Sequence, residues 1–284
     1  MTRHRLPLLA LAAVPALAAC GGGSSGGLPP IQAARVYSIS DFKPAGMVSA
    51  RRPVAVSFVI RQPDGTPLTA FKTGPGPHTG VHLIFVRRDL AYIVHHHPSL
   101  AHLTANGVIH DTVTFPAPGP YRLVLDVFPA GGTQPNFQLF GKVTAAGSYR
   151  PEPLPPPATS VEVGGYHFSL SGASHLTAIQ AQLVIVHVSG PGGKPATFTP
   201  WYGALAHAIF FRRGTLDYFH THVCAPGVTG CTSILGPVKV TGTSTTPGKL
   251  TVGVLVPASG TWRLFLQCRL GGSILTAPFT LRVS

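Results

Sequence analysis

Carboxylates are scarce in this chain. Of its 284 residues only 8 are Asp or Glu, against 21 Lys and Arg. General acid–base chemistry therefore has few sources, and no His-Glu-x-x-His segment occurs. With no general base placed, the expectation is a protein that is not an enzyme. Methionine is scarcer still: Met1 and Met47 are the two in the chain. That count excludes a methionine-rich Cu(I) site and leaves no axial methionine near a blue-copper set of ligands. Long apolar runs are missing as well. Leu6 to Ala19 is the longest, and it falls short of the roughly 20 residues that span a bilayer. Outside it, no segment carries the spacing of an amphipathic helix.

What stands at the N-terminus is a targeting pattern. Residues 1–5 are basic, 6–19 are apolar, and Leu17-Ala18-Ala19-Cys20 matches the lipobox of bacterial lipoproteins. The resemblance implies cleavage after residue 19, diacylglycerol on Cys20, and an extracytoplasmic protein of the bacterial cell envelope, lipid-anchored to a membrane. The glycine-rich stretch that follows predicts a flexible tether over 20–33. Arg3 and Arg5 leave with the signal, so 19 basic residues face 8 acidic ones, a balance of +11. The basic residues are scattered, so nucleic acid is not expected as a partner, and attraction to anionic lipid headgroups is the expected consequence. Cys224, Cys231 and Cys268 remain. An oxidising compartment permits a disulfide, and the turn-rich loop between Cys224 and Cys231 favours that pair. The other pairings stay open, as does a thiolate metal ligand at Cys224.

A histidine pattern occurs twice. His82 is followed by His95 and His97, and His207 by His220 and His222, with the same spacing and no gap. Between His82 and His97, seven positions match their counterparts. Further on, Pro116-Ala-Pro-Gly-Pro-Tyr121-Arg-Leu corresponds to Pro257-Ala-Ser-Gly-Thr-Trp262-Arg-Leu. Such repetition implies two copies of one structural unit. Gly (33) and Pro (29) punctuate short β-branched runs at Val54–Ile60, Val81–Val86 and Tyr92–His97, with counterparts at Ala181–Val188, Ala206–Phe211 and Leu216–His222. The fold class expected is all-β, with two tandem Ig-like or cupredoxin-like β-sandwich domains over 34–148 and 159–284, joined by a proline-rich linker over 149–158. The offset between copies grows from 125 at His82/His207 to 141 at Pro116/Pro257, so the second copy carries an insertion around Cys224 and Cys231.

Strand geometry relates the histidines. A hairpin with a two-residue turn at Arg88-Asp89 sets His82 opposite His95, and a turn at Arg213-Gly214 sets His207 opposite His220. His97 and His222 then share the same faces. Three imidazoles per copy, with an open fourth position, suit Cu²⁺ or Zn²⁺, and binding should weaken as pH falls through roughly 6.5. The candidate ligands are His82, His95, His97, His207, His220 and His222, one site in each domain. His78, His102 and His110 are further histidines near the first copy and are read as loop residues. Arg87-Arg88 and Arg212-Arg213 are read as solvating the hairpin tips.

The pattern resembles a group of bacterial exported proteins built of compact β-sandwich modules. In these a Tyr-Leu-Gly-Ala-Leu-Gly-His segment precedes His-x-His-Pro and then a Pro-x-x-Gly-x-Tyr-x-Leu strand. Here the matching segments are Trp201-Tyr-Gly-Ala-Leu-Ala-His207 with His220-Thr-His222, and His82 with His95-His-His97-Pro98. The resemblance implies the sandwich fold and an association with copper or other heavy metals. Ala206 and Val223 depart from the pattern, which makes the first copy the better expected site. The function expected is a lipoprotein that binds a divalent metal, copper foremost, and buffers it, senses it or passes it to metal-handling or envelope proteins. The alternative is an interaction module of the envelope whose histidines are structural.

Overall fold

The computed structural model describes residues 36–284 apart from 102, 132–135, 229–230 and 236–237. The expected signal segment, the expected tether and Cys20 lie outside these residues, and so does His102. Among the described residues no helix is long and apolar enough to cross a membrane.

Seven strands build the first sandwich: β1 (Ser38–Lys43), β2 (Pro53–Arg61), β3 (Val81–Arg87), β4 (Ile93–His96), β5 (Val108–Thr114), β6 (Gly119–Val127) and β7 (Phe137–Ala145). They form two antiparallel sheets, ordered β1-β2-β5 and β4-β3-β6-β7. The second sandwich holds β8 (Ser160–Val163), β9 (Tyr166–Ser171), β10 (Gln182–Ser189), β11 (Ala204–Arg212), β12 (Tyr218–Cys224), β13 (Thr232–Leu235), β14 (Val238–Thr241), β15 (Lys249–Val254), β16 (Gly260–Leu270) and β17 (Ser273–Val283). Its sheets run β15-β10-β9-β8 and β12-β11-β16-β17, so the second repeats the order β4-β3-β6-β7 strand for strand. The structure is all-β, and each half is an Ig-like sandwich. The 16-residue difference between copies is accounted for by the extra hairpin β13–β14, which follows β12. At its base Cys224 and Cys231 are joined in a disulfide, which leaves Cys224 no thiolate for a metal. Cys268 is buried and free.

Alternation explains each core. Phe58 and Ile60 of β2 meet Leu83 and Phe85 of β3 and Leu123 and Leu125 of β6 between the first pair of sheets. Val184 and Val186, Ala208 and Phe210, and Leu264 and Leu266 do the same in the second. The repeated Pro-Ala-x-Gly-x-aromatic segment makes the corner before β6 and β16. Tyr121 Oη donates to Ala117 O at 2.8 Å, and Trp262 Nε1 donates to Ala258 O at 2.9 Å. This is the tyrosine corner of Ig-like folds, kept in the second copy by an indole. Gly119 and Gly260 both sit at φ 128°, which L side chains rarely adopt.

The sheets β4-β3-β6-β7 and β12-β11-β16-β17 also have apolar outer faces, and these pack on each other. Ile84, Val86, Val124, Ile209, Phe211 and Phe265 form a third core between the sandwiches. Strand β3 is therefore buried along its whole length, as a strand covered on both faces must be. Each such side chain contributes roughly 1.5–3 kcal/mol on burial. No strand occurs between Ala145 and Ser160, yet this proline-rich stretch is tied down. Leu154 packs against the third core, and the Arg87 guanidinium bonds Asp89 at 2.8 Å and Glu152 at 2.6 Å. Arg87, at 3% exposure, is a buried clamp and does not solvate a hairpin tip.

Candidate metal centre

The histidine hairpins have a register two residues away from the one expected. Ile84 pairs with His95 and Leu83 with His96, and in the second copy His207 pairs with His222 and Ile209 with His220. Residues 88–91 and 213–216 close the hairpins, four residues where the sequence predicted two. A shift of two keeps every side chain on its face, so each strand's histidines still point together. The face is the outer one. His82 continues the row of Ile84 and Val86, and His207 continues that of Ile209 and Phe211, so both project into the gap between the sandwiches.

The consequence is one cluster in place of two separate sites. Among the described residues, three groups of histidines bring their nitrogens within 4.8 Å of one another: His82, His95 and His220; His95, His97 and His207; His207, His220 and His222. Two of the three mix residues of both copies. The second-copy triad converges by itself. The first-copy triad His82, His95 and His97 is not among these groups, which reverses the expected ranking of the copies. His82, His207 and His222 are at most 1% exposed, and His95 and His220 are below 10%. His78 joins them: its Nε2 lies 3.0 Å from His222 Nδ1, so it is no longer only a loop residue. His110 lies on β5, outside these groups.

Hydrogen bonds set which nitrogen of each ring is available. His82 Nε2 meets the carbonyl of Pro77 at 2.8 Å, and His207 Nε2 meets that of Trp201 at 3.0 Å. A carbonyl only accepts, so both nitrogens carry the proton and both Nδ1 atoms keep a lone pair. Gln267 donates its amide to Thr276 at 3.0 Å and turns Oε1 to His95 Nδ1 at 3.0 Å, which leaves His95 Nε2 as the lone pair. His82 Nδ1 faces His220 Nδ1 at 3.4 Å, and His95 Nε2 faces His97 Nε2 at 3.2 Å. Among the described residues, His207 Nδ1 and His222 Nε2 are buried with no hydrogen-bond partner. Backbone and amide acceptors that orient imidazoles from outside are the outer shell of histidine metal sites.

Two residues that the sequence reading passed over complete this shell. Asp126 is the cross-strand partner of His82, and Gln267 is that of His207. Each reaches across to the other copy: Asp126 lies 3.8 Å from His220, as Gln267 does at 3.0 Å from His95. Asp126 also accepts from Gln138 and Asn136 and from Tyr218 at 3.3 Å. A lone carboxylate in the apolar strand Leu123-Val-Leu-Asp-Val, aligned with Gln267 in Leu264-Phe-Leu-Gln-Cys, was the available signal. On the rim, Tyr202 stacks on His97 at 3.9 Å, and Trp201 lies 5.0 Å from His207.

Burial disfavours the charged imidazolium throughout. His82 is pushed down to about 3, and His78 and His207 to about 4, mainly by desolvation. His95, His97, His220 and His222 lie well below the ordinary value, through burial first and the neighbouring imidazoles second. The cluster is thus a set of neutral donors, the form that binds a divalent cation. A set of neutral imidazoles with one carboxylate beside it fits Cu²⁺ or Zn²⁺.

Residues 161–284 match the model of a domain of unknown function (DUF8832). That span is the second sandwich. No curated protein matches the chain. Among solved structures, the chain is similar to the Lin-41 filamin domain (11% identity, 45% of this chain and 96% of that one, TM-score 0.26). It is also similar to invasin, a bacterial integrin-binding protein (10% identity, 88% of this chain and 39% of that one, TM-score 0.25). A third is FdeC, an Escherichia coli adhesin (13% identity, 87% of this chain and 63% of that one, TM-score 0.27).

Proposed function

We propose that this protein is a non-enzymatic, lipid-anchored envelope protein that binds a divalent metal ion, copper or zinc, in a histidine cluster shared by its two sandwiches. One observation carries the reading. Six histidines, three from each copy, converge in a buried gap, and carbonyl and amide acceptors fix the lone pairs of three of them. Unligated imidazoles would gain little from such an arrangement, because burying polar nitrogens without partners costs free energy. The Cys20 lipobox supports anchoring outside the cytoplasm, where buffering or transfer of the ion would take place.

Isothermal titration of the full chain with Cu²⁺ and Zn²⁺ tests this. Saturable binding, abolished or greatly weakened by His95→Ala with His97→Ala, is the expected result. No heat and no retained metal with either ion would overturn it and favour histidines that serve only the packing of an interaction module. Labelling with a fatty acid, lost in Cys20→Ser, tests the anchor.

A further inference from the structure

The three histidine groups overlap in a way that one ion cannot use. Any two share a single residue: His95, His207 or His220. His95 and His207 each have one ring nitrogen committed to a hydrogen bond with an acceptor, so each offers one lone pair and serves one ion. An ion with the usual four ligands therefore takes one group and leaves three of the six histidines unused. The group of His82, His95 and His220 is the best prepared. His82 Nδ1 and His220 Nδ1 already face each other at 3.4 Å, and Asp126 Oδ2 lies 3.8 Å from that same His220 Nδ1.

Among the described residues, His207 Nδ1 and His222 Nε2 are buried without a hydrogen-bond partner, and both belong to a second group with His220. Each ring is held from its other nitrogen, His207 by Trp201 O and His222 by His78 at 3.0 Å. Both are thus positioned as ligands, though neither is needed by the first ion. His97 also lies beside His207 in a group, and its ring is stacked under Tyr202.

We infer that the cluster is a dinuclear centre, with one divalent ion on His82, His95 and His220 and a second on His207 and His222. The inference rests on the metal-binding reading above and extends it from a mononuclear site to a paired one.

The test uses the full chain, stripped of metal and loaded with Cu²⁺, on a His167→Ala, His187→Ala background that removes two surface histidines. Copper retained after gel filtration should reach two ions per chain. In electron paramagnetic resonance, the second equivalent should broaden or quench the signal of the first, because two spins in one pocket couple. His207→Gln with His222→Gln should retain one ion with an uncoupled signal, and a thermal melt checks that this variant folds. Saturation of the parent at one ion would overturn the dinuclear centre and leave the metal-binding reading intact. Two ions with additive, uncoupled signals would overturn it as well, since the second would lie elsewhere. No retained copper would overturn both readings. The parent's stoichiometry and spectrum decide the matter even where the double variant does not fold.

Discussion

Gln267 of the second sandwich holds His95 of the first: its Oε1 accepts the Nδ1 proton at 3.0 Å while its amide is fixed by Thr276. The bond crosses the gap between the copies and commits His95 to one tautomer. Gln267→Leu removes the acceptor with little change in volume. Outer-shell losses of this kind cost about 10–100-fold in metal affinity. Titration of the variant should show that weakening, and unchanged affinity would mean that His95 is oriented by something else.

Acidity should separate folding from binding. Unfolded imidazoles titrate near 6.5, whereas His82 is held at about 3 and His207 at about 4. Between these values the unfolded chain binds more protons than the folded one, so stability rises with pH. It is fully present above about 6.5 and is lost as pH falls towards the folded values, by roughly 1.4 kcal/mol per pH unit for each histidine kept neutral. Denaturant melts of the metal-free chain should show this between about pH 7.5 and pH 5. Metal affinity of the folded chain should hold over the same range, in place of the weakening near 6.5 expected of exposed histidines, because the native imidazoles are already unprotonated.

The gap between sandwiches is held by apolar contact at one end and histidines at the other. Phe211 is fully buried in the third core. Phe211→Ala should cost about 3–5 kcal/mol. Because the same strand carries His207, the substitution should also weaken metal binding. A melt that shifts with no change in affinity would show the two ends to be uncoupled.

Arg87 is the clamp on the proline-rich stretch. Arg87→Met leaves the buried Asp89 carboxylate unpaired and should cost about 3–5 kcal/mol, whereas Glu152→Gln, at an exposed partner, should cost less than about 1 kcal/mol. Urea denaturation of the two variants checks the ranking.

Trp201 offers a reporter. It is one of two tryptophans and lies 5.0 Å from His207, while Trp262 is buried in the second core. Cu²⁺ should quench part of the fluorescence, and Trp201→Phe should remove most of that response. Quenching that survives the substitution would locate copper away from the cluster.

Much of this arrangement was legible in the residues. The doubled His82/His207 pattern and the Tyr121/Trp262 corners revealed two all-β copies, because β periodicity and turn chemistry are local. The hairpin register differs by two from the sequence expectation, since a four-residue loop replaces the tight turn, yet parity keeps the same faces. The docking of the sandwiches was not read, although its mark was present. Val81–Arg87 and Ala204–Phe211 are apolar on both faces, and an outer face of Ile84, Val86, Ile209 and Phe211 requires a cover. Two separate sites were expected because the partner of each histidine set lies more than a hundred residues away. Such contacts arise from packing, which spacing along a chain does not encode. Asp126 and Gln267 were missed for the same reason, as each acts on the opposite copy.

A cluster shared by the two copies gives a specific stoichiometry when single histidines are removed. Copper stoichiometry of His82→Ala, His220→Ala and the double substitution measures it. His82 and His220 belong to different sandwiches but to one histidine group. The shared cluster predicts that each single substitution removes the same ion and that the double removes no more than either. Losses that add, one ion for each sandwich altered, would contradict it.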